Sequence, residues 1–280
     1  SGYPRVLHSF PTRRSSDLGV FGTFYSVVGI WGAVITLNYS QAIILPKENE
    51  PAQNLFFVSC LSVASVIGIT AIAIIIAPSA AQHLLKAPSI WYLPFFVAAT
   101  AVLGLTISLE AWCTRISAFM NLAVSQVVRM AAAVGLWIAL GIGQAGPLGL
   151  VFGLVCGDIL SGLNLAWVVK KDLKKKQASL VWSRMKELAR EYKDFPFYTT
   201  PQWLISALTH GLPVILLGYY YGIGVAGAYA FGIRILQTPM NFITVPLGRV
   251  VFQRSSEIYN QDGDLFLFFV KGSASLLAVI

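Results

Sequence analysis

The chain has 280 residues, of which 56% are hydrophobic and only 11% charged, against about 25% charged in an ordinary soluble domain. Lys and Arg outnumber Asp and Glu by 20 to 12, yet Val20–Pro46, Pro51–Gln82, Ala87–Leu109, Met130–Gly157 and Phe195–Ile233 hold none of these four residues. These runs lack the polar stripe of a soluble amphipathic helix and reach the roughly 20 residues needed to cross a bilayer, which excludes a soluble enzyme and points to an all-α, polytopic transmembrane helical bundle.

In chain order, Ser1–Leu18 stands apart. His8–Leu18 reads HSFPTRRSSDL and matches, residue for residue, one reading frame of a widely used sequencing-adapter oligonucleotide. Residues 1–18 are therefore set aside from the fold as foreign sequence. From there the pattern predicts seven complete spans: Val20–Tyr39, Leu55–Ala77, Ile90–Ala111, Phe119–Ile142, Leu148–Val169, Phe197–Tyr220 and Val225–Val250. A partial eighth span opens at Leu265. Because that run stops at Ile280, inside the membrane, the chain reads as a fragment that starts before Gly19 and continues past Ile280 in the whole protein. Trp91, Tyr92, Trp112, Trp167 and Tyr219–Tyr221 fall near span ends, where interfacial aromatic belts form.

The connection Lys170–Lys193 carries nine basic residues, and the positive-inside rule makes it cytoplasmic. Alternation then puts Pro46–Asn54, Trp112–Ser117 and Gln253–Asp264 inside, and Pro78–Ser89, Gly143–Pro147 and Tyr221–Gly224 outside. Lys86 is the one Lys or Arg in those three outer loops. Placed between two spans, the basic run is topogenic and is not a nucleic-acid patch. Trp182–Tyr192 is expected to form an amphipathic helix on the anionic leaflet.

Ionisable groups at membrane depth mark functional positions. Arg129 and Asp158 each lie about 12 residues from the cytoplasmic ends of neighbouring antiparallel spans, so roughly 18 Å deep. That common depth predicts a charge pair, either architectural or in contact with substrate. Arg234, without an evident acidic partner on its own span, is expected to face a hydrated cavity. His210 is a candidate proton or hydrogen-bond site. Glu110 and Arg115 flank an inner interface, solvated or paired with each other. Pro213, Pro239 and Pro246 lie within spans and are hinge candidates, since proline removes a backbone donor and kinks a helix. Cys60, Cys113 and Cys156 read as small buried hydrophobes. No cofactor, metal site or catalytic constellation is expected.

Gly19-Val-Phe-Gly-Thr-Phe-Tyr25 and Gly224-Val-Ala-Gly-Ala-Tyr-Ala230 resemble each other, a weak internal repeat of the kind found in secondary transporters. Four further stretches carry a family likeness: Leu37-Asn-Tyr-Ser-Gln-Ala-Ile-Ile-Leu-Pro46, Tyr192-Lys-Asp-Phe-Pro-Phe-Tyr198, Gly227-Ala-Tyr-Ala-Phe-Gly-Ile-Arg-Ile-Leu-Gln-Thr-Pro239 and Gly248-Arg-Val-Val-Phe-Gln-Arg-Ser-Ser-Glu257. With them the chain resembles bacterial polysaccharide biosynthesis transporters, the lipid-linked oligosaccharide and O-antigen flippases of the multidrug/oligosaccharidyl-lipid/polysaccharide exporter superfamily.

The resemblance implies a two-lobed transporter of twelve or more spans. Residues 19–169 then form most of the first lobe, whose first span is missing. Residues 170–195 form a basic cytoplasmic connector, and 196–280 the start of the second lobe. It also implies translocation of a polyprenyl-diphosphate-linked oligosaccharide across the bacterial inner membrane, for polysaccharide, lipopolysaccharide or capsule biosynthesis. Partners would be the bilayer, that lipid-linked cargo, and the pathway's polymerase and glycosyltransferases. Arg234 matches the arginine of the family's Tyr-x-x-x-x-Arg-x-x-x-x-Pro stretch. With Arg129 it is the candidate contact for the cargo's diphosphate, which a guanidinium fork binds in pairs of hydrogen bonds. The alternatives are a cation-coupled multidrug exporter of the same superfamily and a membrane-embedded glycosyltransferase or ligase. An exporter of cationic drugs would favour acidic cavity residues, and a ligase a large outer loop.

Overall fold

The structure is a computed structural model that describes residues 10–85, 90, 92–143, 146–175 and 182–260. Every regular element among them is helical: α1 Phe10–Ile35, α2 Tyr39–Ala42, α3 Asn49–Ile76, α4 Pro78–Leu85, α5 Tyr92–Arg115, α6 Phe119–Ile142, α7 Gly146–Lys175, α8 Trp182–Glu191, a π-helical turn Phe195–Thr199, α9 Thr200–Tyr220 and α10 Ile223–Asn260. Among the described residues, six segments are long and apolar enough to cross a membrane: Asp17–Ile35, Asn49–Ile76, Tyr92–Arg115, Phe119–Ile142, Gly146–Lys174 and Phe195–Tyr220. They make this an all-α multi-pass membrane protein.

The expected seventh span lies within α10. That helix has 38 residues, roughly 57 Å at 1.5 Å per residue, and includes the apolar stretch Ile223–Gln237. The expected eighth span falls outside the described residues. Helix α1 begins at Phe10, inside the segment set aside as foreign.

Helix α1 ends at a break that the apolar pattern does not announce. Leu37 and Asn38 take left-handed backbone angles, φ 46° and 54°, costing about 1–2 kcal/mol for a non-glycine residue. The Asn38 amide offsets this by donating to Ala33 O at 3.2 Å and Thr200 Oγ1 at 3.1 Å. The expected span Val20–Tyr39 therefore stops at Ile35.

Bundle contacts follow small residues, as they do where lipid supplies no hydrophobic drive between helices. On α7, Gly149, Gly153, Gly157 and Ser161 recur every fourth position, and all four are buried. Against this stripe α6 packs intimately. A Cβ at Gly153 would fall 2.5 Å from Trp137, and one at Gly157 only 2.7 Å from Arg129 O. Helix α1 lies between α9 and α10 on one side and α5 on the other. The two repeated segments meet there, since a Cβ at Gly22 would fall 2.8 Å from that of Ala230.

Two apolar clusters form the interior. One, at the end of the bundle where the basic connector attaches (the basic end), gathers Tyr39, Ile43, Leu55, Trp112, Leu165 and Leu188. The other, in the opposite half, gathers Phe21, Phe24, Tyr92, Phe96 and Val151. Ile75, Ile138, Ile142 and Ile205 point outward, as lipid-facing side chains do. Trp112 and Tyr92 correct the aromatic-belt expectation, because both are buried. The Trp112 indole donates inward to Asp172 Oδ2 at 3.1 Å. Trp167 and Tyr219–Tyr221 are exposed, and Trp91 falls outside the described residues.

Candidate functional site

Gln126, Arg129, Ala133 and Trp137 succeed one another at three- and four-residue steps, which puts them on one face of α6. Polar contacts run from this face to three other helices. Arg129 Nη1 stands 3.5 Å from Asp158 Oδ1 of α7. Arg129 Nη2 donates to Gln126 Oε1. Gln126 Nε2 donates to Glu110 Oε1 of α5 at 2.8 Å, and Glu110 Oε2 accepts from Arg249 of α10. The result is a continuous ladder, Asp158–Arg129–Gln126–Glu110–Arg249, between α7 and α10. Its two arginines and two carboxylates balance in charge, which is what lets ionic groups sit among apolar spans.

Exposure differs along the ladder. The Asp158 and Glu110 side chains are 10% and 14% exposed, those of Arg129 and Arg249 33% and 25%. The carboxylates therefore lie behind the guanidiniums.

Arg234 lies on the same helix as Arg249, fifteen residues earlier or roughly 22 Å along the axis. Its guanidinium carbon is 5.5 Å from the ring centre of Phe21, 5.4 Å from Tyr25 and 5.0 Å from Trp137. Sequence reasoning surrounds this arginine with water. The structure sets it against three aromatic faces, each able to offset about 0.5–2 kcal/mol of its desolvation. Trp137 is held in place by donating Nε1–H to Leu150 O at 2.8 Å, in the space that Gly153 leaves open.

The basic end has its own polar joint. Arg115 donates to three carbonyls of the chain after α2: Ile43 O at 3.1 Å, Pro46 O at 2.6 Å and Glu48 O at 2.8 Å. Glu110 and Arg115 are thus not partners, because one carboxylate serves Arg249 and the guanidinium organises backbone. Tyr39 OH donates to Ala189 O at 2.9 Å, which ties the break after α1 to α8, and burial there raises the Tyr39 phenol above its ordinary pKa. From α10, Gln253 donates to Ser117 Oγ at 2.8 Å and Ser256 to Ile44 O at 3.3 Å. A cavity of about 610 Å³ opens beside these contacts, lined by Lys47, Arg115, Asp172, Gln253 and Glu257 among others.

The structure thus brings Arg129 and Asp158 together and sets Arg234 against the same face of α6. His210 lies exposed on α9, outside the ladder. Pro213 sits inside α9, and Pro239 and Pro246 inside α10, which continues through both. Among the described residues no group of His, Cys, Asp and Glu could hold a metal ion. Sequence reasoning missed Gln126, Trp137 and Arg249 as participants. The α6 face gives a partial signal, since residues 126, 129, 133 and 137 share helical spacing, but nothing local connects Arg249 to a carboxylate 139 positions away.

Residues 14–280 match the model of a family described as polysaccharide biosynthesis protein, and the chain belongs to that family. Its role accordingly lies in polysaccharide biosynthesis, at a membrane that it crosses several times. No curated protein and no solved structure matches the chain.

Proposed function

We propose that the protein translocates a polyprenyl-diphosphate-linked oligosaccharide across the bacterial inner membrane, and that it carries its cargo without transforming it. The observation that supports this most is the placing of three arginines along the bundle between apolar helices: Arg129 on α6, Arg234 against Trp137 of the same α6 face, and Arg249 joined to that face through Glu110 and Gln126. Guanidiniums at membrane depth suit an anionic lipid headgroup, whose phosphates accept paired hydrogen bonds. A cationic drug would need free carboxylates, and Asp158 and Glu110 are both engaged by arginines. On this reading the basic connector faces the cytoplasm, where glycosyltransferases assemble the repeat, and the polymerase meets it on the far side. Pro213, Pro239 and Pro246 would allow α9 and α10 to bend as access alternates.

The test is export in a strain lacking its own transporter, read as surface polysaccharide at matched protein abundance. Arg234→Ala should abolish export. Arg234→Lys should retain a reduced fraction, because lysine keeps the charge and loses the fork. Full export by Arg234→Ala would remove this arginine from the mechanism.

A further inference from the structure

The part of α10 beyond Pro246 is held differently from the part before it. Up to Ala230 the helix packs on α1 through small and apolar residues. Beyond Pro246, Leu247, Val250 and Phe252 are exposed. The contacts that fasten this end to the α2–α6 part of the chain are polar: Arg249 to Glu110, Gln253 to Ser117 Oγ and Ser256 to Ile44 O. Ser117 takes a left-handed backbone angle, φ 56°, so its hydroxyl is offered to Gln253 at some conformational cost.

The ion pair within this set has an asymmetry. Arg249 is 25% exposed and Glu110 14%, and the guanidinium reaches Glu110 through Nη2. Arginine carries five N–H donors in a planar fork. Glu110 is in turn bridged by Gln126 to Arg129, which is also more exposed than its own carboxylate, Asp158. Two guanidiniums on helices that flank α5 are therefore linked through one carboxylate and one amide, and both are more exposed than the acids that neutralise them.

We propose that Arg249 is a binding residue for the lipid diphosphate and that Glu110 occupies it as an internal stand-in for that ligand. A diphosphate carries the charge and oxygen acceptors that Glu110 supplies to Arg249, and a further oxygen acceptor to replace the Gln126 amide oxygen that Arg129 bonds. When it enters, it takes both guanidiniums and Glu110 gives up Arg249. Release of Arg249 frees the end of α10 from α5, so occupancy of the site and opening of the basic end are one event. The proposal rests on the reading of the cargo as a polyprenyl diphosphate.

The experiment measures binding of farnesyl diphosphate, with farnesol as control, to the full chain in detergent, by quenching of tryptophan fluorescence. Glu110→Gln removes the competing charge and should tighten diphosphate binding about tenfold. Arg249→Gln should weaken it about tenfold, and in the double variant the gain from Glu110→Gln should vanish. Gln253→Ala loosens the same end of α10 without touching the ion pair and, because binding and opening are linked, should tighten binding by clearly less than Glu110→Gln does. Glu110→Asp, which keeps the counter-charge, should bind as the unaltered chain does and reports on folding if Glu110→Gln is poorly behaved. Equal gains from Gln253→Ala and Glu110→Gln would mean that loosening alone matters and would overturn the stand-in role. Unchanged binding in the Glu110 and Arg249 variants, with loss in Arg129→Gln or Arg234→Gln, would overturn the proposal and leave the cargo reading standing. Absence of diphosphate binding by the unaltered chain would overturn both.

Discussion

An arginine in hydrocarbon without compensation costs at least a few kcal/mol, and this chain solves that problem in two ways. Arg129 and Arg249 bond to carboxylates, and Arg234 lies against the faces of Phe21, Tyr25 and Trp137. The two solutions respond differently to mutation. Trp137→Ala removes a ring under Arg234, the donor to Leu150 O and the filling of the space above Gly153. Because Trp137 is half-buried, the cost falls at or below about 3 kcal/mol, the low end for Trp-to-Ala changes in a core. Trp137→Phe keeps a ring and loses the hydrogen bond, at about 1 kcal/mol. Thermal unfolding in detergent should rank unaltered chain above Trp137→Phe above Trp137→Ala. Equal midpoints for all three would show that Trp137 does not support Arg234. At this scale the Arg129–Asp158 pair was legible, because counting residues from two span ends places both charges at one depth. The Arg249–Glu110 pair was not, since depth says nothing about which distant helix lies alongside.

Helix against helix, α7 carries the closest contacts. Its stripe of Gly149, Gly153, Gly157 and Ser161 brings the α6 backbone near enough for Arg129 to reach Asp158, the neighbour of Gly157. Removing Arg129 leaves the buried Asp158 carboxylate uncompensated, at up to about 3–5 kcal/mol, whereas removing Asp158 leaves a guanidinium that is one third exposed and costs less. Arg129→Ala and Asp158→Ala should each lower the unfolding midpoint and reduce export. The exchange of Arg129→Asp with Asp158→Arg should recover part of both losses. Equal damage in the single and exchanged variants would leave the pair without support. The bounds of α6 match the apolar run Phe119–Ile142 because turns flank it closely on both sides. The end of α10 does not match, because Arg249, Arg254 and Glu257 look like a loop in a hydropathy pattern. As a helix they bond along and across the bundle, Arg254 to Glu257 on the same face at 2.8 Å and Arg249 to Glu110. The end of α1 was hidden for another reason: a left-handed Leu37–Asn38 pair stabilised by a side chain 162 positions away leaves no trace in composition.

For the whole molecule, orientation rests on the basic connector, and cysteine labelling in a background without Cys60, Cys113 and Cys156 tests it. A cysteine at Gln177 should react with a membrane-impermeant maleimide only from the cytoplasmic side, and one at Ala145 only from outside. Reversed labelling would place the basic connector outside and overturn the orientation. The all-α class and multi-pass character were legible because long charge-free runs admit few other structures. How the helices are grouped was not, since every lipid-facing surface is similarly apolar. The proposed function is movement of a diphosphate-linked sugar between leaflets. Its most direct test is a reconstituted assay in liposomes that hold a fluorescent polyprenyl-diphosphate disaccharide, challenged with a membrane-impermeant quencher. With the unaltered protein, quenching should proceed beyond the outer-leaflet share, while Arg234→Ala liposomes should stop at that share. Quenching that stops at the outer-leaflet share with the unaltered protein, in liposomes shown to contain it folded, would contradict that function.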